Sequence, residues 1–411
     1  MSRTDYVRTS LVDEPPAGGS RFTSNKKRRR RVRNRRIRRV VSIVTLGALI
    51  WLSFSVGGAL LNPALGSSAG SRLAEWARTH GGSGIVNWVE NEWYAHHPPK
   101  VGGAVPKGAI VQPSGTSAVI SAVPHLATPS PIKSFASPAL PGEGEWSPIG
   151  RPVNGIPAVY ETTLRPDAIH TSYVVGVAWM DTKLLQATLY SGSSIPGGGP
   201  YPNTAPVKPQ AARTLVTAFN AGFLMSNAQG GYYTDQKVVM PLRAGAASFV
   251  VYKNGTSDIV AWPSERGVPS NVSSVRQNLD LLVQNGHEVA GLQANDTSKW
   301  GFTLGNAVYV WRSGLGVTAD GALVYVGGPG LNITDLADLL VRAGAVRAME
   351  LDINTDWVNF SSYRPFTSTG LATASNGALL LPGMTGSTSR YFESWWARDF
   401  ITMSADPTKK N

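Results

Sequence analysis

The chain has 411 residues, 42% of them hydrophobic, so it is long enough for more than one unit and for a sizeable core. Its formal net charge of +12 by itself suggests a nucleic-acid partner. The positive charge is concentrated in one short segment, however, because residues 26–39, KKRRRRVRNRRIRR, contain 11 basic residues and no acidic one. From residue 51 onward 24 Lys and Arg accompany 23 Asp and Glu, so we expect no nucleic-acid partner for the large C-terminal part.

An uncharged run follows the basic block directly. VVSIVTLGALIWLSFSVGGALL, residues 40–61, has 22 positions without a charged side chain, which is enough to cross a hydrocarbon core of about 30 Å as a helix. The positive charges before this run predict that residues 1–39 are a basic cytoplasmic tail and that the C-terminal part lies outside the plasma membrane. A cleaved signal peptide is the alternative, but its apolar region is usually only about 7–15 residues long. The sequence therefore favours a retained, single-pass transmembrane helix.

Two segments follow the predicted anchor. Residues 62–98 are predicted to be a juxtamembrane helical stalk, with apolar faces supplied by Trp76, Trp88 and Trp93. Tryptophan is common at the headgroup level of membranes, although a plain stalk is the simpler interpretation. Residues 99–145 are rich in Pro, Gly, Ser and Ala, which predicts an extended linker that holds the next domain away from the bilayer.

The remaining segment, residues 146–405, has the pattern of a mainly β domain. Short runs of β-branched and aromatic residues alternate with turn residues. The Asp320-Gly321 pair in GVTADGALVYV marks a β-hairpin. The final stretch, RYFESWWARDFIT, is interpreted as an amphipathic helix or strand that packs on the domain. The predicted fold class is α+β, with a mainly β external domain, a few helices and one transmembrane helix before it.

One helix of this domain is clearly predicted. NITDLADLLVRAGAV carries apolar residues at helical spacing, begins at a capping residue that is Asn332 or Thr334, and stops at Gly344. The strand VRAMELD follows without a long loop and ends at Asp352. The helix therefore delivers a strand whose C-terminal end carries carboxylates.

Three carboxylates, Glu350, Asp352 and Asp356, lie within AMELDINTDWVNF. The opening D-x-N-x-D resembles an EF-hand loop, but Trp357 and Tyr363 replace the required Gly and Glu, so an EF-hand is excluded. A looser divalent-cation site would use oxygens of Asp352, Asn354 and Asp356. No other cofactor is predicted.

The strand spacing also permits a catalytic carboxylate pair. Alternate residues of a strand share a face, so Glu350 and Asp352 point the same way with Cα atoms about 6.5–7 Å apart. Glycoside hydrolysis needs two carboxyl groups about 5–10 Å apart. The alternative for Glu350 is a structural residue buried against an arginine, and the sequence does not decide between the two.

Two further polar residues stand in apolar strands. Asn220 in TAFNAGF suits hydrogen bonds to sugar hydroxyls or phosphate oxygens, or it forms a turn. Arg312 in WRSGLGV suits a phosphate or carboxylate ligand, or it forms an ion pair with Glu350.

Taken in order, FNAGF, WRSGLGVTADGALVYVGG, the capped helix and MELD resemble the phosphodiester glycosidase family over about the last 250 residues. The resemblance implies hydrolysis of a sugar-1-phosphodiester or a related linkage of a cell-envelope glycan. It implies a site built from three short motifs. Their corresponding residues here are Asn220, Gly222 and Phe223; Arg312 and Gly316; and Leu351 and Asp352.

The resemblance also implies roles for these side chains. Asp352, with Glu350 as a second carboxylate, would act as acid, base or nucleophile. Arg312 would hold the anionic group, and Asn220 would orient the substrate. We expect Gly222 and Gly316 to belong to the substrate site as parts of the same motifs.

The chain departs from the family after Asp352, where INTDW replaces a run of Gly and Ser. Glycines let backbone N–H groups approach an anion, whereas the side chains of Asn354, Asp356 and Trp357 fill this space. The extra carboxylate would oppose a bound phosphate by about 4 kcal/mol at about 4 Å and an effective dielectric near 20. The substrate then differs, or a cation offsets Asp356, or the protein is a non-catalytic glycan-binding or envelope-assembly protein that holds sugar on Trp357.

Overall fold

The β-like runs of the sequence form antiparallel strands, which a computed structural model describes over residues 21–113, 122–264, 267–292, 297–301, 309–367 and 369–406. The strands within these residues are β1 (Ser147–Ile149), β2 (Val159–Leu164), β3 (Val175–Met180), β4 (Leu185–Tyr190), β5 (Leu215–Asn220), β6 (Tyr232–Thr234), β7 (Lys237–Met240), β8 (Ala247–Tyr252), β9 (Ser257–Ala261), β10 (Val272–Gln277), β11 (Leu281–Gln284), β12 (His287–Glu288), β13 (Val310–Thr318), β14 (Leu323–Leu331), β15 (Ala345–Asp352), β16 (Phe360–Tyr363), β17 (Gly377–Leu379) and β18 (Phe400–Ala405). The α-helices are α1 (Arg21–Leu61), α2 (Ala69–Ala77), α3 (Ser83–His96), α4 (Pro209–Ala212), α5 (Thr297–Trp300) and α6 (Ile333–Arg342). The predicted α+β class, mainly β with few helices, is confirmed.

Three sheets organise these strands. The large sheet has the order β1-β2-β3-β14-β13-β15-β11-β12, a second has the order β7-β6-β10-β8-β9, and a third has the order β17-β16-β5-β18-β4. The predicted hairpin at Asp320-Gly321 joins β13 to β14, where Gly321 has a φ of +91° that suits glycine. The ends of β15, β13, β5 and β18 bring together the polar residues discussed below.

Helix α6 lies on the large sheet and leads into β15, as the sequence predicts. Asn332 is its cap, because its Oδ1 accepts the N–H of Asp335 at 2.8 Å. The apolar face of α6 is buried against the sheet at Leu336 and Leu340. Gly314 of β13 permits this close approach, since a Cβ there would lie 2.8 Å from the Leu340 side chain.

The N-terminal helix α1 forms a unit of its own, Met1–Leu61, in which only residues 21–61 are described. It joins the basic block and the predicted span 40–61 in one helix of 41 residues. By length and composition residues 28–61 can cross a membrane, and a signal sequence near an N-terminus meets the same criterion. The first 20 residues of the predicted basic tail lie outside the described part.

The predicted stalk and linker are packed parts of the second unit, Asn62–Asn411. Leu126, from the predicted linker, is buried and donates its N–H to the carboxylate of Asp181 at 2.8 Å. Ile132 is also buried, and its N–H reaches the carbonyl of Gly144 at 2.9 Å. Residues 114–121 of the linker lie outside the described part. The segment 99–145 therefore covers the β domain in its described portions, and it is not an extended spacer.

A pair of glycine variants tests this packing. Gly144 and Gly155 have φ values of +81° and +78°, so alanine is strained at both by roughly 1–2 kcal/mol. A Cβ at Gly144 would also lie 1.8 Å from the carbonyl oxygen of Ile132, whereas nothing lies within 4 Å of one at Gly155. We expect Gly144→Ala to lower the free energy of unfolding by about 1–3 kcal/mol more than Gly155→Ala in urea titrations. Equal losses would mean that residue 132 does not lie on Gly144.

Candidate functional site

A cavity of about 530 Å³ opens where β15 ends. One wall comes from the loop after β15, one from Arg398, two residues before β18, and one from the helical hairpin formed by α2 and α3. The polar side chains that line it are Glu75, Arg78, Asn87, Glu90, Ser226, Asn227, Gln229, Asp352, Asn354 and Arg398, together with the ring of Trp357.

Asp352 is the last residue of β15 and lies at the inner end of this cavity. Its backbone N–H reaches Ser313 Oγ on β13 at 3.2 Å, and its Oδ1 accepts the N–H of Asn354 at 3.1 Å. Burial raises the pKa of the carboxyl to about 7, while the positive charge of Arg398 and two backbone N–H groups oppose that rise. A carboxyl with a pKa near neutrality in a cavity is suited to acid–base chemistry.

Glu350 lies on the same face of β15 but does not line the cavity. Its Oε1 accepts a hydrogen bond from Arg312 Nη1 at 2.7 Å, and both side chains are fully buried. Arg312 Nε donates to the carbonyl of Leu331 at 2.9 Å. Burial raises the pKa of Glu350 to about 7, against the effect of the arginine. The ion pair that the sequence offered as the alternative for both residues is therefore present, and neither side chain faces the cavity.

Asn220 ends β5 and is also buried behind the cavity. Its Nδ2 donates to Ser313 Oγ at 3.0 Å, and its Oδ1 accepts from the Tyr325 hydroxyl at 3.0 Å and from the N–H of Asn359 at 3.1 Å. The amide thereby ties the end of β5 to β13, β14 and the loop before β16. Asn220 and Asp352 are linked through Ser313, so Asn220 positions the strand ends and does not itself reach the cavity.

The two predicted glycines serve close packing in the described structure. A Cβ at Gly222 would lie 3.0 Å from the guanidinium of Arg276, which pairs with Asp399 at 2.6 Å. A Cβ at Gly316 would lie 2.6 Å from Ala345, so this glycine lets β13 and β15 pack together away from the cavity. Gly222 packs on the Arg276–Asp399 ion pair beside Arg398, and neither glycine lines the cavity.

The divergent loop after Asp352 turns its extra carboxylate aside. Asn354 Oδ1 accepts the N–H of Asp356 at 2.8 Å, which closes a local turn. Asp356 accepts hydrogen bonds from both the hydroxyl and the N–H of Ser67, the latter at 3.2 Å. It lines a smaller, neighbouring cavity of about 210 Å³ and not the cavity that holds Asp352. The predicted conflict between Asp356 and a bound anion is therefore reduced by geometry.

Arg398 is one of the cavity residues that the sequence did not predict. It precedes β18, and its guanidinium lies over the ring of Trp357, 4.3 Å from the ring centre. One Nη2 contact, 3.5 Å long, joins it to Glu75 of α2. Its Nη1 has no hydrogen-bond partner among the described residues, although Arg398 is only 6% exposed. A guanidinium that lines a cavity is suited to a phosphate oxygen.

Arg398 is held by its neighbour in the chain. Asp399 points away from the cavity and is paired with Arg276 of β10 in a buried salt bridge. Successive residues of an extended segment face opposite sides, so this pair fixes the direction of the Arg398 side chain. The only local signal in the sequence is an Arg-Asp pair inside the aromatic stretch SWWARDF, where two charges interrupt apolar residues.

The described residues contain no group of three or more His, Asp or Glu side chains placed to hold a metal ion. In the predicted cation site, one oxygen from each of Asp352, Asn354 and Asp356 already accepts a hydrogen bond from the chain. These bonds stabilise the loop itself. A divalent cation at this place remains a prediction.

The match to a family model covers the part of the chain that contains the three motifs. Residues 213–352 match the family model of phosphodiester glycosidases. Among solved structures the chain is similar to the catalytic domain of zebrafish N-acetylglucosamine-1-phosphodiester alpha-N-acetylglucosaminidase, auto-inhibited by its pro-peptide, at 15% identity, a TM-score of 0.41, and coverage of 64% of this chain and 88% of that one. It is also similar to a hypothetical protein from Synechocystis, at 14% identity, a TM-score of 0.35 and coverage of 66% and 65%. The search of curated proteins found no match.

The buried ion pair behind the cavity makes a stability prediction. Glu350→Ala leaves the Arg312 charge buried without its carboxylate, and we expect a loss of about 3–5 kcal/mol in the free energy of unfolding. Asp258→Ala is the control, because Asp258 pairs with Arg347 at 2.6 Å but both side chains are about a third exposed. Its loss should be about 1 kcal/mol or less. Similar losses for the two variants in urea titrations would contradict the buried pairing.

Proposed function

Because residues 213–352 belong to the phosphodiester glycosidase family, we propose that this protein hydrolyses a sugar-1-phosphodiester, or a related cell-envelope glycan linkage, outside the plasma membrane. Helix α1 would act as its single transmembrane anchor, with the basic block on the cytoplasmic side. The catalytic cavity is the one that holds Asp352 and Arg398.

The observation that carries this proposal is a carboxyl and a guanidinium facing one cavity. Asp352 has a pKa raised to about 7, and the side chain of Arg398 lines the same cavity, with a buried Nη1 that has no hydrogen-bond partner among the described residues. A sugar-1-phosphodiester presents both complementary features, an anionic phosphate and an electrophilic anomeric carbon. Arg398 therefore takes the anion-binding role that the sequence predicted for Arg312.

In the reaction water adds to the anomeric carbon and the bond from that carbon to the phosphate oxygen breaks. Ionised Asp352 accepts a proton from the attacking water, or attacks the carbon itself and is released by water afterwards. The electron pair of the broken bond stays on the phosphate, which leaves as a phosphomonoester. Because a phosphate carries this charge well and Arg398 stabilises it, the reaction depends less on a second carboxyl acid such as Glu350.

Glu75 of α2 occupies one side of Arg398 at 3.5 Å. Its carboxylate also lies 3.7 Å from Arg78 in an ion pair, and Arg78 pairs with Glu90 of α3 at 2.5 Å. A phosphate bound to Arg398 would displace the long Glu75 contact, and Arg78 would keep that carboxylate paired. Arg78 thus remains as a positive partner for the Glu75 carboxylate when the substrate displaces Glu75 from Arg398.

A non-catalytic glycan-binding protein is the second candidate. It would use Trp357 as a stacking surface for a sugar ring. Trp357 is only 5% exposed, and the Arg398 guanidinium covers its ring. This arrangement supports an anionic ligand at Arg398 more than a neutral sugar on the tryptophan.

Activity should depend on pH through Asp352. The base or nucleophile is the ionised form, so kcat/KM on a soluble sugar-1-phosphodiester should rise with pH and level off above a midpoint of about 7. Steady-state rates from pH 5 to 9 measure this midpoint. Activity that falls as pH rises through 7 would assign the protonated carboxyl instead.

Two substitutions separate the roles of the site residues. We expect Asp352→Asn to abolish turnover and Arg398→Gln to lower kcat/KM by about 10²–10³-fold. At pH 8 the free energy of unfolding of Asp352→Asn should be at least that of the wild type. A carboxyl whose pKa is raised in the folded state stabilises the fold below its unfolded pKa, and this contribution is lost as pH rises through about 7. Substrate binding without turnover in the wild type would favour the glycan-binding alternative.

A further inference from the structure

The hairpin of α2 and α3 is part of the cavity and is also close in sequence to the apolar helix α1. Ser67 is bound to Asp356 and is the sixth residue after Leu61, the last residue of α1. A chain of six residues spans at most about 20 Å. Asp356, in the loop after Asp352, is therefore joined to the last residue of α1 through a short stretch of chain.

Helix α3 has an apolar stripe that is exposed to solvent, although the ring of Trp93 stacks on His97. Ile85, Trp88, Val89 and Trp93 recur at helical spacing, and their exposed fractions are 72%, 64%, 52% and 60%. At 100° per residue they cover one side of the helix. Such a stripe on a soluble surface is unfavourable unless something covers it.

The opposite side of α3 faces the cavity. Asn87 and Glu90 line it, and Glu90 pairs with Arg78 of α2 at 2.5 Å. One helix therefore presents an apolar, tryptophan-bearing surface on one side and a polar wall of the candidate active site on the other. A helix with this division lies in the headgroup layer of a membrane with its apolar side inward.

We propose that α3 lies in the outer headgroup layer of the membrane in which α1 anchors the protein. The cavity takes sugar-1-phosphodiesters in which the second alcohol bound to the phosphate is a membrane lipid. This inference rests on the proposed function and names its substrate class. The short tether brings the cavity to the bilayer, and the stripe fixes which side of the hairpin touches it. The sugar and phosphate then enter beside Asp352 and Arg398 while the lipid chain stays in the membrane.

Site-specific labels test the position of α3. The chain contains no cysteine, so Val89→Cys in the full chain, reconstituted in phosphatidylcholine vesicles, accepts one environment-sensitive fluorophore. Val238→Cys on β7 is the control, with 56% exposure and no place on the hairpin. We expect lipids that carry a spin label below the headgroup to quench the label at position 89 and not at position 238. Equal quenching at the two positions overturns the proposal. It is also overturned if a second copy of the chain covers the label at position 89 and shields it from lipid.

Kinetics test the substrate class. The probes are N-acetylglucosamine-1-phosphate esterified to methanol, which is soluble, and the same sugar phosphate esterified to a C16 alcohol embedded in the vesicles. Ile85→Ser/Trp88→Ser, which removes half of the stripe and no cavity residue, should lower kcat/KM on the embedded probe by about tenfold or more and on the soluble probe less than about twofold. Equal effects on both probes overturn the membrane role of the stripe. If the wild type cleaves neither probe, the proposed hydrolase activity fails, and the fluorophore at position 89 still decides the location of α3.

Discussion

The buried ion pair between Arg312 and Glu350 is the interaction on which the rest of the site depends. Both side chains are fully buried at a contact of 2.7 Å, and each belongs to one of two neighbouring strands of the large sheet. Removing two charges from water is costly, so the pair persists only if the strand ends keep the charges together. That requirement fixes the ends of β13 and β15, and with them the direction in which the chain leaves at Asp352.

A division of labour among carboxylates follows. Glu350 and Asp352 share a face of β15. Arg312 pairs with Glu350, whereas Asp352, two residues farther along the strand, lines the cavity. The amide of Asn220 and the hydroxyl of Ser313 fill the space between the two strand ends with hydrogen bonds. Asn220, Arg312 and Glu350 therefore form a buried support, and Asp352 is the member of that set that lines the cavity.

Much of the fold was predictable because its signals are local. The cap, stripe and stop of α6 lie within 13 residues, from Asn332 to Gly344, and the hairpin at Asp320-Gly321 within a few more. Strand alternation predicted that Glu350 and Asp352 share a face, but only the register of β13 against β15 shows which one is covered. Arg398 could not be predicted in the same way. Its role depends on Asp399 pairing with Arg276 across 123 positions, and no spacing rule encodes such a contact.

The packing of the juxtamembrane segment was hidden for the same reason. Ser67 and Asp356 are 289 positions apart, and a Pro- and Gly-rich composition after residue 98 has the character of a spacer. Composition describes the freedom of an isolated chain, whereas Leu126 and Ile132 lose that freedom because they find buried partners. Irregularly spaced apolar residues are the feature of such a segment that distinguishes a chain packed on a domain from a free linker.

The INTDW loop shows how these contacts replace one another. A Gly- and Ser-rich loop can offer backbone N–H groups to an anion, and this chain has lost that option to side chains. Here Asn354 and Asp356 use their oxygens to close the loop and to hold Ser67, while Arg398, stacked on Trp357, offers an anion a charged donor from the other side of the cavity. In the proposed site a side chain would bind the anion in place of the backbone, and the loop holds Ser67, in the segment that follows α1. The departure from the family pattern is thus compatible with the proposed anionic substrate, because Asp356 bonds to Ser67 while Arg398, which contacts Glu75, lines the cavity with Asp352.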